Sequence, residues 1–179
     1  FSVLMKMLVG RTCLAIVGIF TTVQGVNASK FGRESVMVMF SHASTLDAFI
    51  IAASLPMRGY AVAKRELLFI PFFNYLLLCF GGIPIDRENR QVAVESLKTA
   101  ANSARMGDCV VVAPEGTRST TGQLLPFKKG PFHLWETLGA PVVPVVIYGA
   151  YDLYPPGICS VVFKLYVMYS RTAHDHPWK

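Results

Sequence analysis

Short apolar runs alternate with segments of helical pattern along most of this chain. Runs rich in β-branched and aromatic residues predict strands at 36–40, 60–63, 83–85, 109–113, 141–147 and 161–168. Between them, apolar residues at helical spacing or in longer segments predict helices at 48–55, 68–80, 91–106 and 131–138. The alternation predicts an α/β domain with a mostly parallel central sheet flanked by helices. The prolines of the 141–147 run favour an end or edge position for that strand.

The first 29 residues form a separate apolar segment. Its two charged residues, Lys6 and Arg11, lie in its first half. Its later part is less apolar because it contains the polar residues Thr21, Thr22 and Gln24. Because a clean membrane span needs about 20 apolar residues, we expect a membrane-associated helix in the interface or part of an anchor. We therefore divide the chain into an apolar N-terminal helix, 1–29, and an α/β domain, 30–179. The sequence neither begins with methionine nor ends on a completed element, so we expect it to be part of a longer protein.

Composition favours a globular domain that lies against a membrane. Hydrophobic residues make up 53% of the 179 positions and charged residues only 16%, and the mean hydropathy is +0.43. The net charge of +6 favours anionic partners such as lipid phosphates. No basic run is interleaved with aromatic residues and no zinc-knuckle spacing occurs, so nucleic acid is not an expected partner. The four cysteines form no C-x-x-C pair, which is typical of reduced, packed thiols.

Polar turns follow three of the predicted strands, and they carry His42, Asp86 and Glu115. In open α/β sheets, ligands bind at the carboxyl ends of the strands. We therefore expect these turns to meet at one edge of the sheet and to form an active site there.

His42 and Asp47 are the first candidates for acid-base chemistry. On one helix, residues five apart point about 140° away from each other, so the two meet only if the chain turns between them. A helix beginning near Thr45 or Leu46 would place Asp47 in its first turn, within reach of a ring nitrogen of His42. The carboxylate would then fix the tautomer and leave the other nitrogen free as a base. Alternatively, His42 is an ordinary loop histidine and Asp47 caps a helix.

No protein nucleophile accompanies this pair. Ser44 lacks the G-x-S-x-G context of a nucleophile elbow, and a metal site that includes His133 would lack H-E-x-x-H spacing. The base would instead activate a hydroxyl of the substrate, while cations at Arg87, Arg118 and Lys128 hold a phosphate. Each of these cations is alternatively an ordinary surface charge.

Four ordered sequence blocks resemble those of the glycerolipid acyltransferase family, typified by 1-acylglycerol-3-phosphate acyltransferase. His42 to Asp47 match the family's H-x-x-x-x-D motif, and residues 81–87 match G-x-x-F-I-D-R. Residues 113–119 match F-P-E-G-T-R-S, residues 143–147 match V-P-V-V-I, and a K-x-E-L segment occurs at 64–67. The chain departs from the pattern at Ser41, Pro84 and Ala113, none of which removes an acid-base or charged group.

This resemblance implies acyl transfer from acyl-CoA, or from acyl carrier protein in bacteria, to the hydroxyl of a lysophospholipid. His42 is then the base and Asp47 orients it, without a metal, a cofactor or a covalent acyl-enzyme. The residues implied to hold the phosphorylated acceptor are Arg87, Glu115, Gly116 and Arg118, with Lys64 as a helper. The Thr117-Arg118 pair favours lysophosphatidic acid as the acceptor.

The resemblance also implies a membrane-associated protein with its active site on the cytosolic side. The membrane would be the endoplasmic reticulum in a eukaryote and the inner membrane in a bacterium. Two other functions stay open at this point. One is a membrane-associated lipid-binding homologue without turnover, and the other is a hydrolase that uses His42 with a bound metal.

Overall fold

The computed structural model describes residues 3–25, 35–56, 58–70, 74, 77, 81–86, 92, 95–96, 98, 108–156 and the backbone of 166–170. Its helices are α1 (Val3–Ile16), α2 (Asp47–Ser54), a 3₁₀ helix (Arg65–Phe69), α3 (Lys129–Leu138) and α4 (Ala150–Leu153). Its strands are β1 (Thr21–Gln24), β2 (Val36–Phe40), β3 (Gly59–Lys64), β4 (Gly82–Ile85), β5 (Cys109–Val112), β6 (Val142–Ile147) and β7 (Tyr166–Ser170).

The strands form a single sheet in the order β1-β7-β6-β2-β5-β3-β4. Every strand pair is parallel except β6 with β7, which is antiparallel. All four residues of β5 are buried, as expected of a β-branched run that is covered on both faces. Buried apolar clusters lie on the two faces, one around Val38 and Val111 and the other around Met37 and Val110. The predicted α/β fold with a mostly parallel sheet is confirmed.

Pro141 lies directly before the first residue of β6, which fits the expected end position. The alternative, an edge position for the 141–147 strand, is wrong, because β6 lies between β7 and β2. The direction of the backbone groups in β6 explains why Pro144 is compatible with an interior strand. Toward β2, the carbonyl of Val145 accepts from Ser41 N–H (3.1 Å), and the carbonyl of Pro141 accepts from Met37 N–H (2.9 Å). Since successive residues of a strand direct their backbone groups to opposite sides, the nitrogen of Pro144 faces away from β2. On that side the described pairing with β7 begins only at Val145, so Pro144 removes no described sheet hydrogen bond.

The N-terminal segment is a helix followed by a strand, and not a helix throughout. Helix α1 ends at Ile16, Gly18 turns the chain at φ 71°, and the β-branched run that begins at Thr21 forms β1, which pairs with β7. The predicted segment 1–29 therefore contributes an edge strand to the sheet of the main domain. Among the described residues, no helix is both long enough and apolar enough to cross a membrane.

Helix α1 packs closely against α2. A Cβ atom on Gly10 would lie 2.8 Å from the backbone nitrogen of Ala53, so the two helix backbones almost touch at this point. Lys6, Gly10 and Leu14 form the buried side of α1. The remaining surface of the segment exposes large apolar side chains, which are Leu4, Met5, Leu8, Ile16, Phe20 and Val23.

Burial also shifts two titratable groups near the amino ends of the strands. Burial disfavours the charged form of Lys6 and lowers its pKa. The thiol of Cys109 is fully buried at the start of β5, which raises its pKa to about 12. Cys109 and Cys13 are free thiols, in line with the predicted reduced cysteines, whereas Cys79 and Cys159 lie outside the described residues.

Several other predicted elements are described only in part. The predicted helix 68–80 begins as the 3₁₀ helix Arg65–Phe69, and residues 74 and 77 are helical. Within the predicted helix 91–106, residues 92, 95, 96 and 98 are helical. The predicted strand 161–168 is confirmed for 166–168 and continues to Ser170. Ile70 is extended (φ −92°, ψ 115°), so the predicted helix 68–80 is not continuous. The other residues of these three predictions lie outside the described part of the chain.

Candidate active site

The His42-Asp47 pair lies where β2 gives way to α2. Strand β2 ends at Phe40, and α2 begins at Asp47, so the chain turns between the two side chains as predicted. Nδ1 of His42 lies 2.8 Å from Oδ2 of Asp47. The carboxylate is completely buried, whereas the imidazole is 24% exposed. The ring of Phe40 stands edge-on to the imidazole, with centroids 5.4 Å apart.

Two further donors fix the carboxylate of Asp47. The backbone N–H groups of Ala43 and Ser44 both donate to Oδ2 at 2.8 Å. Because a carboxylate bonded to backbone N–H groups is an acceptor, Nδ1 of His42 is the donor in their contact. The imidazole is thereby held in the tautomer that leaves Nε2 without a proton, which is the form a general base requires.

Two serines anchor this turn to the rest of the fold. The hydroxyl of Ser44 is buried, donates to the carbonyl of Tyr154 (2.7 Å) and accepts from the N–H of Leu46 (3.2 Å). Ser44 is therefore a structural residue and not a nucleophile. The hydroxyl of Ser41 accepts from the N–H of Ile147 (3.0 Å), which ties the end of β2 to the end of β6. Sequence reasoning does not identify these anchors, because each hydroxyl bonds a backbone group more than 100 positions away, Tyr154 for Ser44 and Ile147 for Ser41.

Glu115 lies under the same turn, in the loop that follows β5. Its side chain is almost completely buried (2% exposed). Oε1 accepts from the backbone N–H of His42, and Oε2 accepts from the backbone N–H of Leu125, each at 2.9 Å. From the same loop, the N–H of Ser119 donates to the carbonyl of His42 at 2.8 Å. The turns that carry His42 and Glu115 therefore meet at one edge of the sheet, as expected from their positions after β2 and β5. The carboxylate of Glu115, however, is hydrogen-bonded to backbone N–H groups.

The loop that carries Glu115 also carries exposed polar groups, one of which contacts the His42 turn. Thr117 and Arg118 are exposed, and the guanidinium of Arg118 donates to the hydroxyl of Thr45, which lies within the His42 turn. Gly116 has φ +67°, and a Cβ atom there would lie 2.8 Å from Cδ and 3.3 Å from Nζ of Lys128. The absence of a side chain at Gly116 therefore lets Lys128 lie across the loop.

Lys64 is the last residue of β3, and Asp86 directly follows β4. Nζ of Lys64 forms an ion pair with Glu66 (3.2 Å), and both side chains are about half exposed. A hydrogen bond from the backbone of Glu66 itself, and then the contact with Lys64, lowers the pKa of the Glu66 carboxyl. Arg65 pairs with Asp86 at 3.6 Å. The predicted ligand Arg87 lies outside the described residues.

His133, a candidate metal ligand by residue type, does not join the site. It lies on α3, where its Nδ1 is 3.2 Å from a carboxylate oxygen of Glu136 in an exposed pair. Within the described ranges, no group of three or more His, Cys, Asp or Glu side chains is placed to hold a metal ion. The His42 turn and the loop after β5 together carry one oriented base and the exposed cations Arg118 and Lys128.

This arrangement suits proton abstraction from a hydroxyl that is brought by an anionic substrate. Nε2 of His42 would act as the base, and the exposed cations would attract the substrate. The hydroxyl of Ser44 is not placed as a nucleophile, because it donates to the carbonyl of Tyr154 and accepts from the N–H of Leu46.

Comparison with known proteins gives a consistent result. Residues 21–148 match the family described as Acyltransferase. A 1-acyl-sn-glycerol-3-phosphate acyltransferase from Cocos nucifera is 36% identical over 143 residues, which cover 79% of this chain and 46% of the relative. The protein of that name from Saccharomyces cerevisiae is 35% identical over 137 residues, covering 75% of this chain and 45% of the relative. The chain spans about half the length of the curated relatives it matches.

A solved structure shares the fold. The crystal structure of the 1-acyl-sn-glycerophosphate (LPA) acyltransferase PlsC from Thermotoga maritima superposes with a TM-score of 0.77 at 25% identity. The match covers 95% of this chain and 67% of that chain. The shared fold therefore extends over almost the whole of this chain.

Proposed function

The chain belongs to the acyltransferase family, and from that premise we propose that it transfers a fatty acyl chain from acyl-CoA to the free hydroxyl of a lysophospholipid. Lysophosphatidic acid is the proposed acceptor and phosphatidic acid the product. The observation that carries the proposal is the buried Asp47 carboxylate 2.8 Å from Nδ1 of His42, with Nε2 left to act as a base. The names of the relatives support the same acceptor.

The reaction needs no nucleophile from the protein. Nε2 of His42 takes the proton of the acceptor hydroxyl while that oxygen attacks the thioester carbonyl carbon of acyl-CoA. The new carbon–oxygen bond forms and the carbon–sulfur bond breaks, and the proton passes from the imidazolium to the departing thiolate. Asp47 stabilises the imidazolium in between, because its negative charge faces Nδ1. Neither a covalent acyl-enzyme nor a metal has a part in this scheme.

The phosphate of the acceptor would be held by cations beside the His42 turn. Arg118 and Lys128 are exposed there, and a guanidinium can bind a phosphate through two parallel hydrogen bonds. We include Gly116 and Thr117 because they lie between β5 and Arg118 in the same loop. Arg87 and Lys64 are proposed as further contacts by resemblance alone.

The enzyme would work at a membrane surface, with its active site on the cytosolic side. Support comes from the exposed apolar side chains of α1 and the loop after it, among them Leu8, Ile16 and Phe20, and from the net charge of +6. The membrane would be the endoplasmic reticulum in a eukaryotic cell and the inner membrane in a bacterial one. In the bacterial case, acyl carrier protein is a second candidate donor.

The proposal is tested by supplying one acyl-CoA together with a panel of lysolipids and glycerol 3-phosphate, and by identifying the products by mass. Phosphatidic acid formed from lysophosphatidic acid, and lost in His42→Ala, is the expected result. Turnover that survives in His42→Ala would overturn the mechanism. Lipid binding without any consumption of acyl-CoA would show a lipid-binding homologue without turnover.

A further inference from the structure

We infer that Glu115 is a positioning residue for His42 and not a ligand of the acceptor, an inference that rests on the acyl transfer proposed above. The family resemblance implies that Glu115 holds the phosphorylated acceptor. The surroundings of its carboxylate point to a different role.

Both carboxylate oxygens of Glu115 are bonded to the backbone. One accepts from the N–H of His42 and the other from the N–H of Leu125, each at 2.9 Å. The side chain is 2% exposed, so it lies beneath the turn and does not line an open surface. A carboxylate would also repel the phosphate of a lysolipid, whereas the exposed cation of Arg118 would attract it.

His42 is consequently held at three points. Its N–H donates to Glu115, its carbonyl accepts from the N–H of Ser119 at 2.8 Å, and its ring donates to Asp47 at 2.8 Å. Two of these points belong to the backbone and fix the position of Cα, while the third fixes the ring. A general base must be held close to the proton that it removes, and a displacement of about 1 Å can reduce a rate about 100-fold. The backbone contacts are therefore part of what aligns Nε2.

The same carboxylate joins the base to the loop that carries the cations. Leu125 lies between Arg118 and Lys128 in the chain, and the N–H of Lys128 donates to the carbonyl of Pro114 at 2.8 Å. Glu115 thus bridges the His42 turn and the 118–128 loop with one side chain. The two N–H donors meet different oxygens of the side chain, which is why a carboxylate, with an acceptor at both positions, suits this residue.

The variant that tests this role is Glu115→Gln, which keeps the shape of the side chain. Its single oxygen can accept only one of the two N–H groups, and its amide group meets the other as a second donor. We expect kcat to fall about 100-fold, while KM for lysophosphatidic acid changes by less than about threefold. The matched control is Glu136→Gln, which removes one carboxylate from the exposed pair with His133 and should leave both constants unchanged.

A binding measurement separates positioning from direct contact without turnover. The dissociation constant of lysophosphatidic acid is measured on His42→Ala and on His42→Ala/Glu115→Gln, and we expect the two to agree within about twofold. A rise of KM or of this dissociation constant by about tenfold or more, with kcat retained, would overturn the inference and restore Glu115 as a ligand. An unfolded Glu115→Gln protein, detected by circular dichroism, would also overturn it. The carboxylate would then be required for the folding of the whole domain and not specifically for the position of His42. A wild-type protein without transfer activity would instead refute the proposed function.

Discussion

Asp47 accepts the Nδ1–H of His42 on the same oxygen, Oδ2, that already accepts two backbone N–H groups of the intervening turn. Its other oxygen, Oδ1, is buried and has no hydrogen-bond partner in the described part of the chain. The two backbone N–H groups therefore fix the orientation of the carboxylate. The hydrogen bond from Nδ1 then fixes the orientation of the imidazole relative to that carboxylate. Because all three donors meet one oxygen, a substitution can remove the charge of Asp47 and keep its geometry.

Asp47→Asn should lower kcat by removing charge while keeping geometry. The amide oxygen can take the place of Oδ2 and accept all three donors, so the tautomer of His42 is preserved. The imidazolium formed during the reaction loses its negative partner, and we expect kcat to fall about 100-fold with both KM values nearly unchanged. Steady-state kinetics measures this, with Asp152→Asn on the exposed side of α4 as control. Wild-type turnover in Asp47→Asn would show that the charge is not required.

Arg118→Ala should weaken binding of the acceptor and leave the chemical step nearly intact. A hydrogen bond between charged groups contributes about 1.5–3 kcal/mol, which corresponds to a rise in KM for lysophosphatidic acid of about 10- to 100-fold. KM for acyl-CoA should change much less. The control is Arg58→Ala, because Arg58 is exposed at the opposite, amino-terminal end of β3. An unchanged KM for the acceptor would remove Arg118 from the binding site.

Gly116→Ala should reduce activity by displacing Lys128. The added Cβ atom would lie 2.8 Å from Cδ of Lys128, and φ at this position is +67°. Gly139→Ala is the matched control, since φ there is +61° and no atom lies within 4 Å of the added Cβ. Both variants should lose about 1 kcal/mol of unfolding free energy through backbone strain, but only Gly116→Ala should also lose transfer activity. Equal activity in the two variants would contradict a role for Lys128.

Gly10→Ala should destabilise the contact between α1 and α2. The new Cβ atom would lie 2.8 Å from the nitrogen and 3.1 Å from the Cα of Ala53, and backbone atoms cannot move aside cheaply. We expect the free energy of unfolding to fall by about 1–3 kcal/mol in denaturant titrations. Gly130→Ala, in α3 with nothing within 4 Å, should be neutral or slightly stabilising. If Gly10→Ala is as stable as the wild type, the two helices are not in backbone contact.

The buried thiol of Cys109 should make the domain less stable in alkali. Its folded pKa is raised from 9.0 to about 12, so the native state keeps a proton that the unfolded chain loses. The stabilisation is fully present below pH 9.0 and decreases between pH 9.0 and about 12, by at most about 1.4 kcal/mol per pH unit. Comparing the wild type with Cys109→Ala measures this contribution together with the charge coupling between the Cys109 thiolate and Lys6. Parallel stability curves above pH 9 would contradict the shift.

The sequence allows correct prediction of features that depend on local pattern. The β-branched run of β5 indicates a strand covered on both faces, and the five-residue separation of His42 and Asp47 requires the turn that the structure contains. The edge position predicted from the prolines of this strand is wrong, because β6 lies inside the sheet and the nitrogen of Pro144 faces the side on which the described pairing begins only at Val145. Periodicity does not report toward which neighbouring strand a backbone nitrogen points.

The sequence cannot predict which polar side chains act through the backbone. Glu115 and His42 are 73 positions apart, and Ser44 and Tyr154 are 110 apart. In each case one partner is a main-chain group that every residue possesses, so nothing in the residue type of His42 or Tyr154 marks the contact. An acidic residue beside a glycine and an arginine therefore suggests a ligand, although its carboxylate lies beneath the turn.

The close approach of Gly10 to Ala53 has a consequence for how the active site meets its substrates. Helix α1 carries the exposed apolar side chains, and α2, against which it packs, begins with Asp47. If α1 rests on a bilayer as proposed, the height of the His42 base above the lipid head groups is set by the contact between two helix backbones. A lysolipid would then need to rise from the membrane by a fixed distance to bring its hydroxyl to Nε2, and a larger residue at position 10 would change that distance.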